Sequence, residues 1–265
     1  MTPKNLIDLF SLEAPMANEL RRILTAIRNR YRQRPPKSIL VTSAAVGEGK
    51  STIASFLSLT AAARDSRVLL IDADLRRPMI HTYLGLPLEM GLTDWLTKST
   101  TVAGIIKPTR YHSLSVITAG TLGAQAGELF DPRAIGPLIA EQTTAYDLVI
   151  VDCAPVVPVA DPMLLSAHVD GVLMIVKAGA TPRDISRRAV DILQSGGGQL
   201  MGVVVNNMQS SLPGTFNYQR YGEYYDLSGA DSQPNAEKHS KKSGDISDKS
   251  KSTSDTRRPE KSGKS

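Results

Sequence analysis

One cysteine, Cys153, stands in 265 residues. An intramolecular disulfide is therefore excluded, and the usage fits a reducing compartment. No apolar run approaches the ~20 residues that a helix needs to cross a bilayer. The opening residues, Met1-Thr-Pro-Lys-Asn-Leu-Ile-Asp8, lack the apolar stretch of a secretory signal. These absences predict a cytoplasmic protein whose membrane contact comes through a partner or a surface patch. No internal repeat is visible. From Asp231 onward apolar residues almost vanish, and nine Lys and Arg face six acids. Such a segment cannot bury enough surface to fold and is predicted to be disordered. The net charge of +5 partly reflects that tail, so no nucleic-acid partner is expected from it.

What is present is an ordinary globular balance, 41% hydrophobic and 22% charged, in a length that suits one large α/β domain with an appendage. The chain divides into a leader at 1–14, a domain at 15–210, a tyrosine-rich segment at 211–228 and the Lys/Ser-rich tail at 229–265. Within the domain, 15–34 reads as a helix, with Leu20, Ile23, Leu24 and Ile27 at helical spacing and arginines on the other face. Apolar runs at 39–42, 68–71, 114–118, 148–151, 172–176 and 203–205 read as strands covered on both faces. Helical patterns separate them, and Asp161-Pro162 and Thr181-Pro182 each offer a capping side chain before a proline. The alternation predicts a doubly wound, mostly parallel α/β sheet with helices on both faces and its site at the carboxyl ends of the strands.

The run from Ser38 to Thr52 carries the chemistry. A β-type stretch ends in small residues, and Val46-Gly47-Glu48-Gly49-Lys50-Ser51-Thr52 then opens a helix. Glycines at this point turn successive amides toward one anion, and the helix N-terminus adds its positive dipole end. Lys50 reaches the outer phosphates, and the Ser51 hydroxyl suits Mg²⁺. The first glycine of the usual G-x-x-x-x-G-K-[ST] pattern is replaced by Ala44. The expected nucleotide contacts are residues 46–52, and similarity to related P-loop proteins adds Asn206 near the base, although Asn206 and Asn207 after the last strand also suit a turn.

Two later strands each end in a carboxylate. The run 68–71 leads into Asp72-Ala-Asp74-Leu-Arg76-Arg77, and 148–151 leads into Asp152. Mg²⁺ takes one or two carboxylates together with phosphate oxygens and water, so Ser51, Asp74 and Asp152 are the candidate metal ligands. Asp72 and Asp74 are two residues apart and are expected to share a face of an extended backbone. Arg76 and Arg77 are candidate phosphate contacts. Cys153 reads as a small packing residue.

In concert these motifs, with Gly85-Leu-Pro87, Gly91-Leu-Thr-Asp94 and Asp152-Cys-Ala-Pro-Val156, resemble the bacterial tyrosine kinases (BY-kinases) of capsule and exopolysaccharide systems. The resemblance covers roughly 15–210 and then the tyrosine cluster. It implies a P-loop NTPase fold of the deviant Walker A-like type, ATP and Mg²⁺ as cofactors, and a tyrosine autokinase regulating polysaccharide synthesis or export. Carried over residue by residue, Lys50 neutralises the transferring phosphate, Ser51, Asp74 and Asp152 support the metal, and Asp72 orients or deprotonates a tyrosine hydroxyl. The acceptors are Tyr218, Tyr221, Tyr224 and Tyr225, phosphorylated in trans by a neighbouring subunit. Tyr31, Tyr83, Tyr111 and Tyr146 are left to packing or surface roles. Glu19 and Arg22 match the helix that joins subunits of a homo-oligomeric ring, although the next arginine of that pattern is Thr25. The implied partners are a separate transmembrane activator (a polysaccharide co-polymerase) and a cognate tyrosine phosphatase. The implied location is the inner face of the cell membrane, reached through that activator.

Two other readings compete. One is a non-kinase ATPase switch of the partition or division-site type, but those proteins carry a signature lysine where this chain has Ala45. They also leave the tyrosine cluster unexplained. The other is a nucleotide-binding scaffold without catalysis, against which Lys50, Asp72, Asp74 and Asp152 argue.

Overall fold

A strand buried on both faces needs apolar residues at every position, because alternate side chains feed opposite layers. In Ile39-Leu40-Val41, the outer two side chains join one core and Leu40 joins the other. The computed structural model describes Asp8, residues 15–121 and residues 126–207. Among them are seven strands: β1 (Ser38–Ser43), β2 (Val68–Asp72), β3 (Ile106–Pro108), β4 (Leu114–Ile117), β5 (Leu148–Asp152), β6 (Gly171–Lys177) and β7 (Leu200–Asn206). They form one sheet in the order β3-β4-β2-β5-β1-β6-β7. Every pairing is parallel except β3 with β4.

Helices cover both faces, as the pattern predicts. On one side lie α1 (Pro15–Arg30) and α2 (Lys50–Ala62), with α3 (Ile80–Leu84) beyond them. The helices α4 (Leu92–Leu96) and α5 (Val102–Ile105) lead into β3. On the other side lie α6 (Pro132–Ala145), α7 (Asp161–Ser166) and α8 (Arg183–Ser195). The helix α2 is buried almost all round, with α1 packed against it. Its hydroxyls are accommodated because Ser55, Ser58 and Thr60 donate to the carbonyls of Ser51, Ala54 and Phe56 one turn back.

Several expectations need correction. The first helix stops at Arg30 rather than 34, because Pro35 disfavours helical geometry in the residue before it and Pro36 offers no amide. The edge strand β3 was not anticipated, being three residues long and ending in proline. The last strand begins at Leu200, three residues early. Neither expected cap forms. The first residue of α7 is Asp161, whose carboxylate instead takes Arg76 Nε at 3.4 Å. The helix α8 starts after Pro182, and the Thr181 hydroxyl is spent on Glu48 and the Lys177 amide. In both cases a tertiary partner outcompetes the local one. The expectations for the tyrosine cluster at 211–228, the tail at 229–265 and, apart from Asp8, the leader at 1–14 lie outside the described residues.

Candidate functional site

The parallel register delivers the polar residues to one end of the sheet. Asp72 and Asp152 are Cα partners across β2 and β5, and Asp152 pairs with Val41 on β1. The chain leaving β1 becomes the phosphate loop. Gly47 and Gly49 sit at φ 81° and 88°, the left-handed region where a side chain is strained. Ala44 needs no such freedom. It lies outside that region, is fully buried, and its amide still donates to Ile175 of β6 at 3.3 Å. The missing first glycine is thus explained: the chain is still sheet-like at that position.

Four expected residues converge. Lys50 Nζ lies 2.7 Å from Asp74 Oδ2, 3.3 Å from Asp152 Oδ1 and 3.0 Å from Ser51 Oγ. Burial works against the ammonium, but Asp152 and Asp74, with Asp72 behind them, outweigh it and push its pKa above the usual lysine range. The lysine is therefore held charged where an ordinary buried amine would lose its proton. Two carboxylates and a hydroxyl around one cation form a hard oxygen set, which fits Mg²⁺ completed by phosphate oxygens and water. A cavity of about 510 Å³ opens above, lined by the loop, Asp74, Arg76, Arg77 and the 154–159 segment.

Other expected residues are placed differently. Asp74 lines the cavity, whereas Asp72, whose neighbour Ala73 still donates to the Asp152 carbonyl at 2.8 Å, does not. The Asp72 side chain is fully buried, with Oδ2 accepting the Ile80 amide at 3.1 Å and Oδ1 the Asp74 amide at 3.3 Å. Burial, then the neighbouring Asp152, pushes its pKa well above the carboxylate range. Asp72 holds the 73–80 turn and does not line the cavity.

Glu48 is 4% exposed, with its carboxylate beneath the loop rather than toward the cavity. It accepts the Ala45 amide at 2.9 Å and the Thr181 hydroxyl. Asn206 donates to the Glu48 carbonyl at 2.9 Å and abuts Gly49, where an added Cβ would meet its amide nitrogen at 2.4 Å. Thr181 and Asn206 thus fix the loop to the ends of β6 and β7. Thr52 and Val46 do line the cavity.

Sequence reasoning missed Tyr83, Met79, Pro155 and Pro158, all cavity-lining. The prolines follow Asp152 closely enough to have been found, whereas Tyr83 on α3 gave no signal. It also missed the Arg76–Asp161 pair, although both residues had been noted. Cys153 is fully buried, and burial pushes its thiol pKa up, in keeping with a packing role.

A strand, a glycine-turned loop, a helix opening with lysine and serine, and two strand-end carboxylates define a P-loop NTPase. The model of the ParA family, described as a NUBPL iron-transfer P-loop NTPase, matches residues 35–223. The tyrosine-protein kinase YwqD of Bacillus subtilis is 32% identical over 215 residues, 81% of this chain and 91% of that one. The chain belongs to the bacterial tyrosine-kinase family of ParA-like P-loop NTPases. The tyrosine-protein kinase CpsD of Streptococcus agalactiae is 25% identical, covering 82% of this chain and 96% of its own. Among solved structures, the chimerical protein CapA2B2 superposes with a TM-score of 0.71 at 31% identity, over 77% of this chain and 90% of that one.

Proposed function

We propose that the protein is an ATP- and Mg²⁺-dependent protein-tyrosine autokinase whose acceptors are Tyr218, Tyr221, Tyr224 and Tyr225. The carrying observation is the convergence of Lys50, Ser51, Asp74 and Asp152 at the mouth of the phosphate loop, in a family whose relatives are named tyrosine-protein kinases. Phosphoryl transfer asks a protein mainly for positioning and charge neutralisation. The loop amides from Val46 to Thr52 would hold the phosphates. Lys50 would exchange its carboxylate partners for the transferring group, and Ser51, Asp74 and Asp152 would hold the metal. Bound Mg²⁺ would neutralise the β- and γ-phosphate oxygens. Asp74, the one carboxylate of the three that lines the cavity, would face the incoming tyrosine hydroxyl. In this reading Asp72 is a positioning residue, and Glu48 and Asn206 shape the loop rather than touch the nucleotide.

Transfer in trans within a homo-oligomer would use the outer face of α1, where Glu19 and Arg22 form an exposed pair at 2.9 Å. A separate transmembrane activator would switch the enzyme on at the inner face of the membrane, and a cognate phosphatase would reset it in polysaccharide synthesis or export. Ala45, where the partition ATPases carry lysine, favours this reading over a non-kinase switch. The test is incubation with ATP and Mg²⁺, with and without the activator's cytoplasmic peptide, followed by phosphotyrosine mapping. We expect phosphate within 218–225 and its loss in Lys50→Met. Phosphate confined to other tyrosines, or persisting in that variant, would refute the assignment.

A further inference from the structure

The sheet has a second polar end, opposite the nucleotide cavity. Between Leu20 and Gly47 the sequence holds seven basic residues and no acid. The fold gathers most of them where the strands begin. Arg28 and Arg30 end α1, and Arg32, Arg34 and Lys37 lie on the connector into β1. Arg64 follows α2 and joins them. All six are exposed, and none has an ion-pair partner among the described residues. The nearby acids are mostly committed. Asp147 pairs with Arg67 at 2.7 Å, and Asp170 accepts the amides of Lys37 and Ser38 at 2.8 and 3.0 Å. Asp147, which lines the same cleft and acts on Lys37, and Asp65 beside Arg64 offset the group only in part. A surface this cationic is self-repelling, and nothing in the nucleotide site uses it, since β1 holds the two ends ~20 Å apart.

The patch also has relief. A cleft of about 260 Å³ runs between the end of α1 and the connector, with Leu24, Ile27, Pro35 and Pro36 along it. Arg28, Lys37 and Arg64 line the same cleft. An apolar floor under a cationic rim suits a ligand whose phosphate sits above hydrocarbon.

We propose that this arginine-rich pole docks directly on the anionic phospholipid headgroups of a membrane. The cations are spread over three separate elements, which matches a continuous plane of phosphodiesters better than a single groove-bound peptide. Each Lys or Arg brought to such a surface adds attraction that decays within a Debye length of ~8 Å at physiological salt. Docked this way, the pole faces the bilayer and the nucleotide cavity faces away from it, open to ATP.

The test is flotation of the full chain, tail included, with vesicles of phosphatidylcholine alone or with ~30% phosphatidylglycerol. The protein should bind the anionic vesicles only, and binding should weaken as salt rises. The variant Arg30→Gln/Arg32→Gln/Arg34→Gln/Arg64→Gln should bind at least about tenfold more weakly, with ATP affinity and thermal midpoint unchanged. If that variant unfolds, Arg32→Gln/Arg34→Gln, confined to the connector outside any helix or strand, should still lose several-fold. Undiminished binding of the variants would give the effect to the Lys-rich tail and overturn the proposal. So would release by inorganic phosphate beyond that by chloride at equal ionic strength, which would assign the patch to a free anion. Stronger arginine-dependent retention on polyglutamate than on vesicles would assign it to an acidic protein and overturn it equally.

Discussion

Two buried charges decide how the phosphate loop behaves. Glu48 supplies a carboxylate inside a loop built to hold phosphate, and its removal leaves the Ala45 amide without its acceptor and the Thr181 hydroxyl with only the Lys177 amide. An unsatisfied buried donor costs about 1–3 kcal/mol. Glu48→Ala should therefore weaken ATP binding by about tenfold or more by calorimetry. Glu48→Gln, which can still accept one hydrogen bond and donate the other, should stay within about threefold. Lys50 is the second case, because it is the cation among three buried carboxylates. Removing one partner of a buried ionic cluster costs about 3–5 kcal/mol. Asp72 and Asp152 are already raised by burial, and Lys50→Met removes the ammonium that opposes that rise. A carboxylate of that kind contributes stability below its unfolded pKa and loses it as pH rises through the folded one. The gap in urea midpoint between Lys50→Met and wild type should therefore be smallest at about pH 4 and widen as pH rises. A midpoint difference that does not change with pH would contradict the cluster's role.

At the scale of elements, α1 is held by a narrow stripe. Leu20 is 2% exposed and Ile27 is 8% exposed, while Ile23 and Leu24 pack at the margin. Leu20→Ala should cost about 2–5 kcal/mol in urea unfolding. Glu19→Ala, which breaks only an exposed pair, should cost under about 1 kcal/mol. The helix was legible in the sequence because its apolar positions repeat at helical spacing, and six strands were legible because most of their runs are continuous. The edge strand β3 was not: three residues carry no periodicity, and Pro108 reads as punctuation. The caps failed for a different reason. A threonine or aspartate before proline is a local signal, yet Thr181 and Asp161 are claimed by Glu48 and Arg76, which lie 133 and 85 residues away in the chain. Local preference cannot report a partner that distant.

For the molecule as a whole, the same logic separates what could be read of the site from what could not. Lys50, Ser51, Asp74 and Asp152 were legible because each follows an unmistakable strand. The inward turn of Glu48 and the burial of Asp72 depend on where strands end to the residue, which is the least determinate part of a sequence reading. The topology carries one more consequence. The strand that bears the phosphate loop, β1, pairs with residues 149–152 on one side and 171–175 on the other. It is thus the first of the seven described strands to be synthesised, yet its pairing waits for β6. At cellular translation rates of ~5–20 residues per second, roughly 6 to 26 seconds separate the emergence of β1 from that of β6. For that interval a strand with an apolar centre, Ile39-Leu40-Val41, and two open edges stays unpaired, a template for wrong pairing that chaperones must cover. No nascent fragment ending before β6 has both neighbours of β1 in place.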